Sequence, residues 1–394
     1  MRPLRFASVL FPLACQSAGD PARPADAAAG GAPADARPQG DVPQGGGAET
    51  GAGGGGAAAD ADHPPGDAAA GGASDASPPP LRDAQPHGGA PADASPPPGD
   101  AATGLAVCEG TYGRPVEAGV LDDDRLSEVS GIAASPTVPG VLWMHNDSGD
   151  LARLYAVTTS GHLLGVLYLR GVENVDFEDL AAGPCPPGLG AGRACLWVAD
   201  TGNNRADRVE LVVHVVPEPA VDPVGGFDDI AAEEIWHFPF RYPDQPRDSE
   251  AFALAPDAST FYVFEKMDGA PTHVYRHPGN FADGRRADLV PVATFDAPGF
   301  DIPLGHMVTG ASLHPGGRRL LLRVYTGSYE YRLPDGAGWE SIAELSPERV
   351  AAGPLSEPQG EAITYDGAGT GIYTVSEDAD RSGRVPLHFY PCQR

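Results

Sequence analysis

Lysine occurs once in this 394-residue chain, at Lys266; every other basic side chain is Arg, a bias that reflects genome composition. Positive charge is scarce overall: 26 Lys and Arg stand against 54 Asp and Glu, for a formal net charge of −28. The chain thus lacks a basic face to track a phosphate backbone, and no nucleic-acid partner is expected. No run of about 18 apolar residues occurs, which argues against a membrane-spanning helix. No long segment carries a helical period, which argues against a helix-built fold. There is no Gly-x-Ser-x-Gly elbow, no His-Glu-x-x-His helix and no P-loop.

The chain falls into three expected parts. Residues 1–15 read as a signal peptide: Arg2 and Arg5 precede an apolar stretch from Phe6 to Ala14 that ends at Cys15. Residues 16–104 are almost wholly Ala, Gly, Pro and Asp. Such a segment lacks the apolar side chains that would offset the entropy of ordering it, so a disordered linker is expected. As a random coil it would reach about 50–60 Å. Residues 105–394 hold the apolar and aromatic residues of a folded domain.

Cysteine is also scarce, with five residues. Setting Cys15 aside leaves four, an even number that allows three pairings. Cys185 and Cys195 flank a Pro/Gly-rich stretch and suit a local staple. Cys108 and Cys392 sit at the two ends of the domain, and a bridge between them requires those ends to meet. Metal ligation or free thiols are the alternative, and no Cys-x-x-Cys spacing favours metal.

Internal repeats are the main signal. Five phrases recur: Gly131 to Pro136, Glu178 to Pro184, Glu250 to Pro256, Gly310 to Pro315 and Glu361 to Asp366. Each is followed by a second and a third run rich in β-branched and aromatic residues, such as Val141 to Asn146 and Leu154 to Val157. Fourth strands fit after most units, for example over Leu163 to Leu169, Glu234 to Phe240 and Val290 to Phe295. Four strands per repeat predict an all-β, five-bladed β-propeller. The fifth unit lacks a fourth strand, which Thr111 to Val120 can supply, closing the ring from the N-terminal side and bringing Cys108 beside Cys392. Six blades would require an irregular unit hidden between Glu178 and Glu250, and a β-sandwich would leave the repeated order unexplained.

The leader ending in Leu13-Ala14-Cys15 resembles a bacterial lipoprotein signal, although Pro12 stands where that pattern favours Leu. The resemblance implies lipidation of Cys15, a membrane attachment through that lipid, and an outer-membrane or cell-surface location. Ordinary secretion or a periplasmic location is the alternative. The phrases Asn146-Asp147-Ser148-Gly149, Asp176-Phe177-Glu178-Asp179-Leu180, Ala199-Asp200-Thr201-Gly202-Asn203-Asn204 and Gln359-Gly360-Glu361-Ala362-Ile363 resemble bacterial exported propellers of the phytase-like and calcium-dependent phosphotriesterase-like groups. That resemblance implies Ca²⁺ held by carboxylates and Asn at the channel mouth.

The repeats themselves suggest where a ligand would sit. The first strand of each blade lines the channel, so Gly131, Glu178, Glu250, Gly310 and Glu361 are expected to form a ring, with the glycines leaving room for a ligand or water. Three Glu on one axis require a cation or raised pKa values. Asp200 and Asn203 are further metal-ligand candidates, and Asn146, Asp147, Lys266 and Arg323 are candidates for ligand contact; Asn204, Glu265 and Glu377 also end or follow second strands. Asp and Asn at strand ends are equally ordinary turn residues. His306 is the one candidate general base. The expected molecule is a monomeric binding module with an unidentified ligand or protein partner at its mouth; a calcium-dependent hydrolase of phosphoesters or lactones is the alternative.

Overall fold

A computed structural model describes residues 107–269, 271–350, 357, 359–378 and 381–393. The expected leader and linker, including Cys15, lie outside the described residues. Strands β1 (Thr111–Tyr112) and β2 (Val116–Val120) are followed by β3 (Val129–Ala134), β4 (Val141–Asn146), β5 (Arg153–Thr158) and β6 (Leu163–Tyr168), which make blade 1. Blade 2 is β7 (Phe177–Pro184), β8 (Ala194–Asp200), β9 (Leu211–Pro217) and, after the short β10 (Ile230–Ala231), β11 (Trp236–Arg241). Blade 3 is β12 (Ser249–Leu254), β13 (Phe261–Glu265), β14 (Thr272–Arg276) and, after β15 (Ala287–Asp288), β16 (Val290–Phe295). Blade 4 is β17 (Val308–Leu313), β18 (Arg319–Val324), β19 (Gly327–Arg332) and β20 (Glu348–Arg349), with a 3₁₀ turn at Trp339–Glu344. Blade 5 is β21 (Gly360–Tyr365), β22 (Gly371–Ser376) and β23 (Pro386–Gln393), completed by β1 and β2.

The five-bladed propeller expected from the repeats is therefore the fold. Closure runs through β23: Val116 pairs with Phe389 and Tyr112 with Cys392, both antiparallel. Cys108 and Cys392 form a disulfide with a Cα–Cα distance of 5.4 Å, and Cys185 and Cys195 form a second at 4.8 Å. The long interval between Glu178 and Glu250 holds no sixth blade. It crosses back to blade 1, where β10 adds a parallel edge strand to β6. The next such interval repeats the device, β15 pairing parallel with β11 of blade 2. These borrowed strands cover blade edges that would otherwise offer unpaired N–H and C=O groups.

Blades pack face to face, so both faces of the central strands are buried. Strands β4, β12, β18 and β21 are accordingly buried along their whole length, with no solvent-facing alternation. The apolar side chains form five clusters, one at each blade interface. The interface of blades 2 and 3 is the most aromatic: Trp197, Phe238, Phe240, Phe252 and Phe261 meet there. Truncating one of these rings would cost about 3–5 kcal/mol.

Candidate functional site

The inner strand of every blade carries a β-bulge at the same place. Pairing with the second strand skips one residue, and the skipped residues are Ser130, Glu178, Glu250, Thr309 and Glu361. A bulge leaves its extra residue out of the ladder and re-aims the side chain. This register corrects the expected ring. Glu178, Glu250 and Glu361 stand in equivalent places as anticipated, but their partners are Ser130 and Thr309; Gly131 and Gly310 follow the bulge. Nor do those glycines make room for a ligand. A Cβ at Gly131 would lie 2.2 Å from His145 Nε2, and one at Gly310 would lie 2.2 Å from the Glu361 carbonyl oxygen. The two hydroxyls tie blade to blade: Ser130 Oγ donates to the Glu178 carbonyl at 2.5 Å and Thr309 Oγ1 to the Gly360 carbonyl at 2.9 Å.

A second ring follows from the residues just beyond the second strands: Asp147, Thr201, Lys266, Tyr325 and Glu377. These residues leave the sheet where the inner strands enter it, so the two rings share one end of the channel. Backbone bonds between the two chain segments fix that proximity: Asp147, Lys266 and Glu377 donate their N–H to the carbonyls of Glu128, Asp248 and Gln359. Asp176, one residue ahead of β7, completes the site. Single carboxylate oxygens of Asp147, Asp176 and Glu178 all lie within 4.8 Å of one another. Asn174 holds this corner together by donating Nδ2 to the Asp147 carbonyl at 2.8 Å.

The charge density of this mouth shows in its acids. Burial raises Glu178 well above the carboxylate range, and the charges of Asp147, Asp176 and Glu361 add to the rise. Burial and Glu361 push Asp147 up to about 8. Burial and Glu361 push Glu377 up to about 9. Burial raises Asp176, Asp248 and Glu361 as well. The opposing charge comes from Lys266, which pairs with Glu250 Oε1 and lies 5.6 Å from the centre of the Tyr325 ring. Glu250 Oε2 is buried and accepts no hydrogen bond, whereas Glu361 shares a hydrogen bond with the carboxyl of Glu377. The Tyr325 hydroxyl reaches Glu361 Oε1 at 3.3 Å, and Gln359 Nε2 donates to Glu377 at 2.7 Å. Hard oxygen donors converging on one corner, with charge to be neutralised, fit Ca²⁺ in kind.

Other expected site residues are committed to the scaffold. The Asn146 side chain donates to the Arg125 carbonyl at 2.5 Å and to Asp150 at 2.9 Å, bracing a loop. Asp200 is ion-paired with Arg208 at 2.7 Å and accepts the Asp176 N–H at 3.1 Å. Asn203 accepts the N–H groups of Asp207 and Arg208 and donates to the carbonyls of Arg208 and Arg247, pinning its own loop to the segment that leads into blade 3. Asn204 is exposed. Glu265 pairs with Arg247 at 2.6 Å and with His273 at 2.5 Å. Arg323 is buried against Glu357 and donates to the Ala362 carbonyl at 2.7 Å. Burial acts upward on Glu357, but the Arg323 charge and hydrogen bonds from His388 and Thr374 outweigh it and hold it at about 2. His306 bonds the Ala297 carbonyl at 2.8 Å and Asp301 at 3.2 Å within its own loop, so no channel carboxylate pairs with it as a base.

Two features had no repeat signal. Asp179, directly after a bulge, is fully buried; its Oδ2 accepts the N–H groups of Phe252 at 2.8 Å and Ala311 at 3.1 Å. Those donors lie on the inner strands of blades 3 and 4. At the opposite end of the channel, a cavity of about 300 Å³ is lined by the ends of the inner strands, among them Pro136, Pro184, Pro256 and Leu313. Its walls are mainly small and apolar, so the carboxylate mouth is the chemically equipped end.

No protein-family model matches the chain, and no curated protein matches its sequence. Among solved structures it is similar to hydrazine synthase of Kuenenia stuttgartiensis, with 10% identity and a TM-score of 0.36, over 66% of this chain and 82% of that one. It is also similar to the WD40 repeats of RRP9, with 10% identity and a TM-score of 0.39, over 72% of this chain and 100% of that one. The structure of U3-55K matches with 10% identity and a TM-score of 0.38, over 72% and 99%. Likenesses of this strength say nothing of ligand or activity; the propeller assignment rests on the strand pairing itself.

Proposed function

We propose that this chain is an exported propeller binding module whose mouth takes a hard divalent cation, Ca²⁺ foremost, at Asp147, Asp176 and Glu178. The observation that carries this reading is the convergence of those three carboxylates within 4.8 Å, beside the further acids Glu361 and Glu377. Like charges gathered this closely must hold protons or a cation, and only oxygen ligands are offered. Three protein oxygens leave coordination positions of a six- to eight-coordinate ion open to a ligand or protein partner. Export is supported by the two disulfides and the leader sequence, with Cys15 as the lipid attachment and the linker as a tether. Isothermal titration with Ca²⁺ after EDTA treatment tests the cation. Binding in the wild type that is lost in Asp176→Asn and Glu178→Gln supports the reading; no binding in the wild type rejects it.

One observation favours the hydrolase alternative. Glu377, held up to about 9 by burial and the neighbouring Glu361, is a proton donor near the proposed cation. A phosphoester and lactone panel with Ca²⁺ present decides it. Turnover that falls at least 100-fold in Glu377→Gln, with Ca²⁺ binding intact, assigns the hydrolase; no turnover leaves a binding module.

A further inference from the structure

Lys266 is the one lysine in a chain whose other basic residues are all Arg. Its ammonium is placed inside the acidic mouth, with the side chain only 10% exposed. It pairs with Glu250 and rests near the face of Tyr325. Its charge is also felt by Asp147, Glu178, Asp248 and Glu361, so it sits at the electrostatic centre of acids from four blades. An ammonium is a compact point charge, whereas a guanidinium is a flat fork of five donors. Lysine stands here against the Arg bias of the chain.

The mouth is therefore asymmetric. On one side, Asp147, Asp176 and Glu178 bring carboxylate oxygens within 4.8 Å of one another and feel Lys266 and Arg208 only through their charge, the arrangement that would share an ion. On the other, Glu250 and Glu361 share the field of Lys266. Glu250 still has a buried oxygen, Oε2, that accepts no hydrogen bond, so this side also has a ligand atom to spare, while Glu361 shares a hydrogen bond with Glu377. Both side chains are more than nine-tenths buried. A second divalent ion here would have to displace a tethered ammonium.

We infer that Lys266 is a resident cation that fills the Glu250–Glu361 side of the mouth and limits the propeller to a single exchangeable divalent ion on the Asp147–Asp176–Glu178 side. The inference rests on the cation reading above and adds stoichiometry and affinity to it. Removing the ammonium opens a second position on Glu250 and Glu361 and tightens the first by removing a nearby positive charge.

The test is isothermal titration of Ca²⁺ into the wild type, Lys266→Gln and Lys266→Met at pH 8, with Tb³⁺ luminescence as a second probe. Circular dichroism of each variant checks folding. Because the chain has one lysine, wild-type protein acetylated at that amine after folding provides the same loss of charge without mutation. The wild type should bind one Ca²⁺. The variants and the acetylated protein should bind two, or bind one on the order of tenfold or more tightly. Unchanged stoichiometry and affinity in all three would overturn the resident-cation role while leaving the cation site intact. Binding only after the lysine charge is removed would show the ammonium filling the whole mouth, which overturns the one-ion limit. No binding in any form would reject the cation reading itself.

Discussion

The Asp179 carboxylate of blade 2 accepts the backbone N–H of Ala311 of blade 4 at 3.1 Å, across 132 residues of sequence and past the intervening blade. The same oxygen accepts the Phe252 N–H of blade 3 at 2.8 Å. Inner strands present one unpaired edge to the channel, and buried N–H groups on such an edge need acceptors. Asp179 supplies one acceptor to two of them. Replacing it with Leu would strand both donors and cost roughly 2–6 kcal/mol, at about 1–3 kcal/mol for each unsatisfied group. Asp179→Asn keeps an acceptor oxygen and should cost less than half as much. Urea denaturation of the two variants measures the difference.

The closing disulfide should matter more than the local one. Cys108 and Cys392 span 284 residues, and Cys185 and Cys195 span 10. Chain-entropy scaling assigns about 6 kcal/mol to a loop of the first size and about 3 kcal/mol to one of the second. Cys108→Ser/Cys392→Ser should therefore lower the denaturation midpoint more than Cys185→Ser/Cys195→Ser. It should also expose β1 to limited proteolysis, because that two-residue strand has little pairing of its own beside the Cys392 end of β23.

Arg323 separates scaffold from site. Its charge is spent on Glu357, and both are buried. Arg323→Ala would leave the buried Glu357 carboxylate to His388 and Thr374 alone and cost about 3–5 kcal/mol. Ca²⁺ affinity at a temperature where the variant is folded should stay within twofold of the wild type. A tenfold loss would place Arg323 in the ligand site after all.

The cation-free propeller should lose stability as pH rises. Asp147 and Glu377 hold their protons up to about 8 and about 9, far above unfolded carboxyls near 4. A carboxyl raised on folding contributes its full stabilisation below the unfolded value and loses it as pH rises through the folded value. In EDTA the melting temperature should fall between pH 6 and pH 9. Saturating Ca²⁺ should flatten that fall, since it neutralises the ionised acids, and binding should release protons. Titration in buffers of different ionisation enthalpy measures that release.

Much of this was legible in the repeats. The phrases beginning at Glu178, Glu250 and Glu361 marked three bulged residues correctly, because a glutamate stood in each. Alignment slipped by one at blades 1 and 4, where Ser130 and Thr309 occupy the bulge and the more conspicuous Gly131 and Gly310 follow it. A bulge changes register without changing the look of the strand. Asp176 stands two residues before its bulge, where the other blades carry Glu128, Asp248, Met307 and Gln359, so the repeats did offer an acidic signal there, ahead of the strand starts. Asp179 acts through contacts with blades 3 and 4 that local spacing does not encode. Asn146, Asp200 and Asn203 followed ordinary turn chemistry, with their side chains spent on nearby backbone and on Asp150 and Arg208.

The most direct measurement is the thermal melt at pH 8 in EDTA and in excess Ca²⁺, for the wild type and for Asp176→Asn. A cation seated on Asp147, Asp176 and Glu178 stabilises by mass action, by about 2.7 kcal/mol at a hundredfold excess over Kd. The wild type should therefore melt several degrees higher in Ca²⁺, and Asp176→Asn should show little of that gain. Identical wild-type melts in EDTA and Ca²⁺ would contradict the cation site.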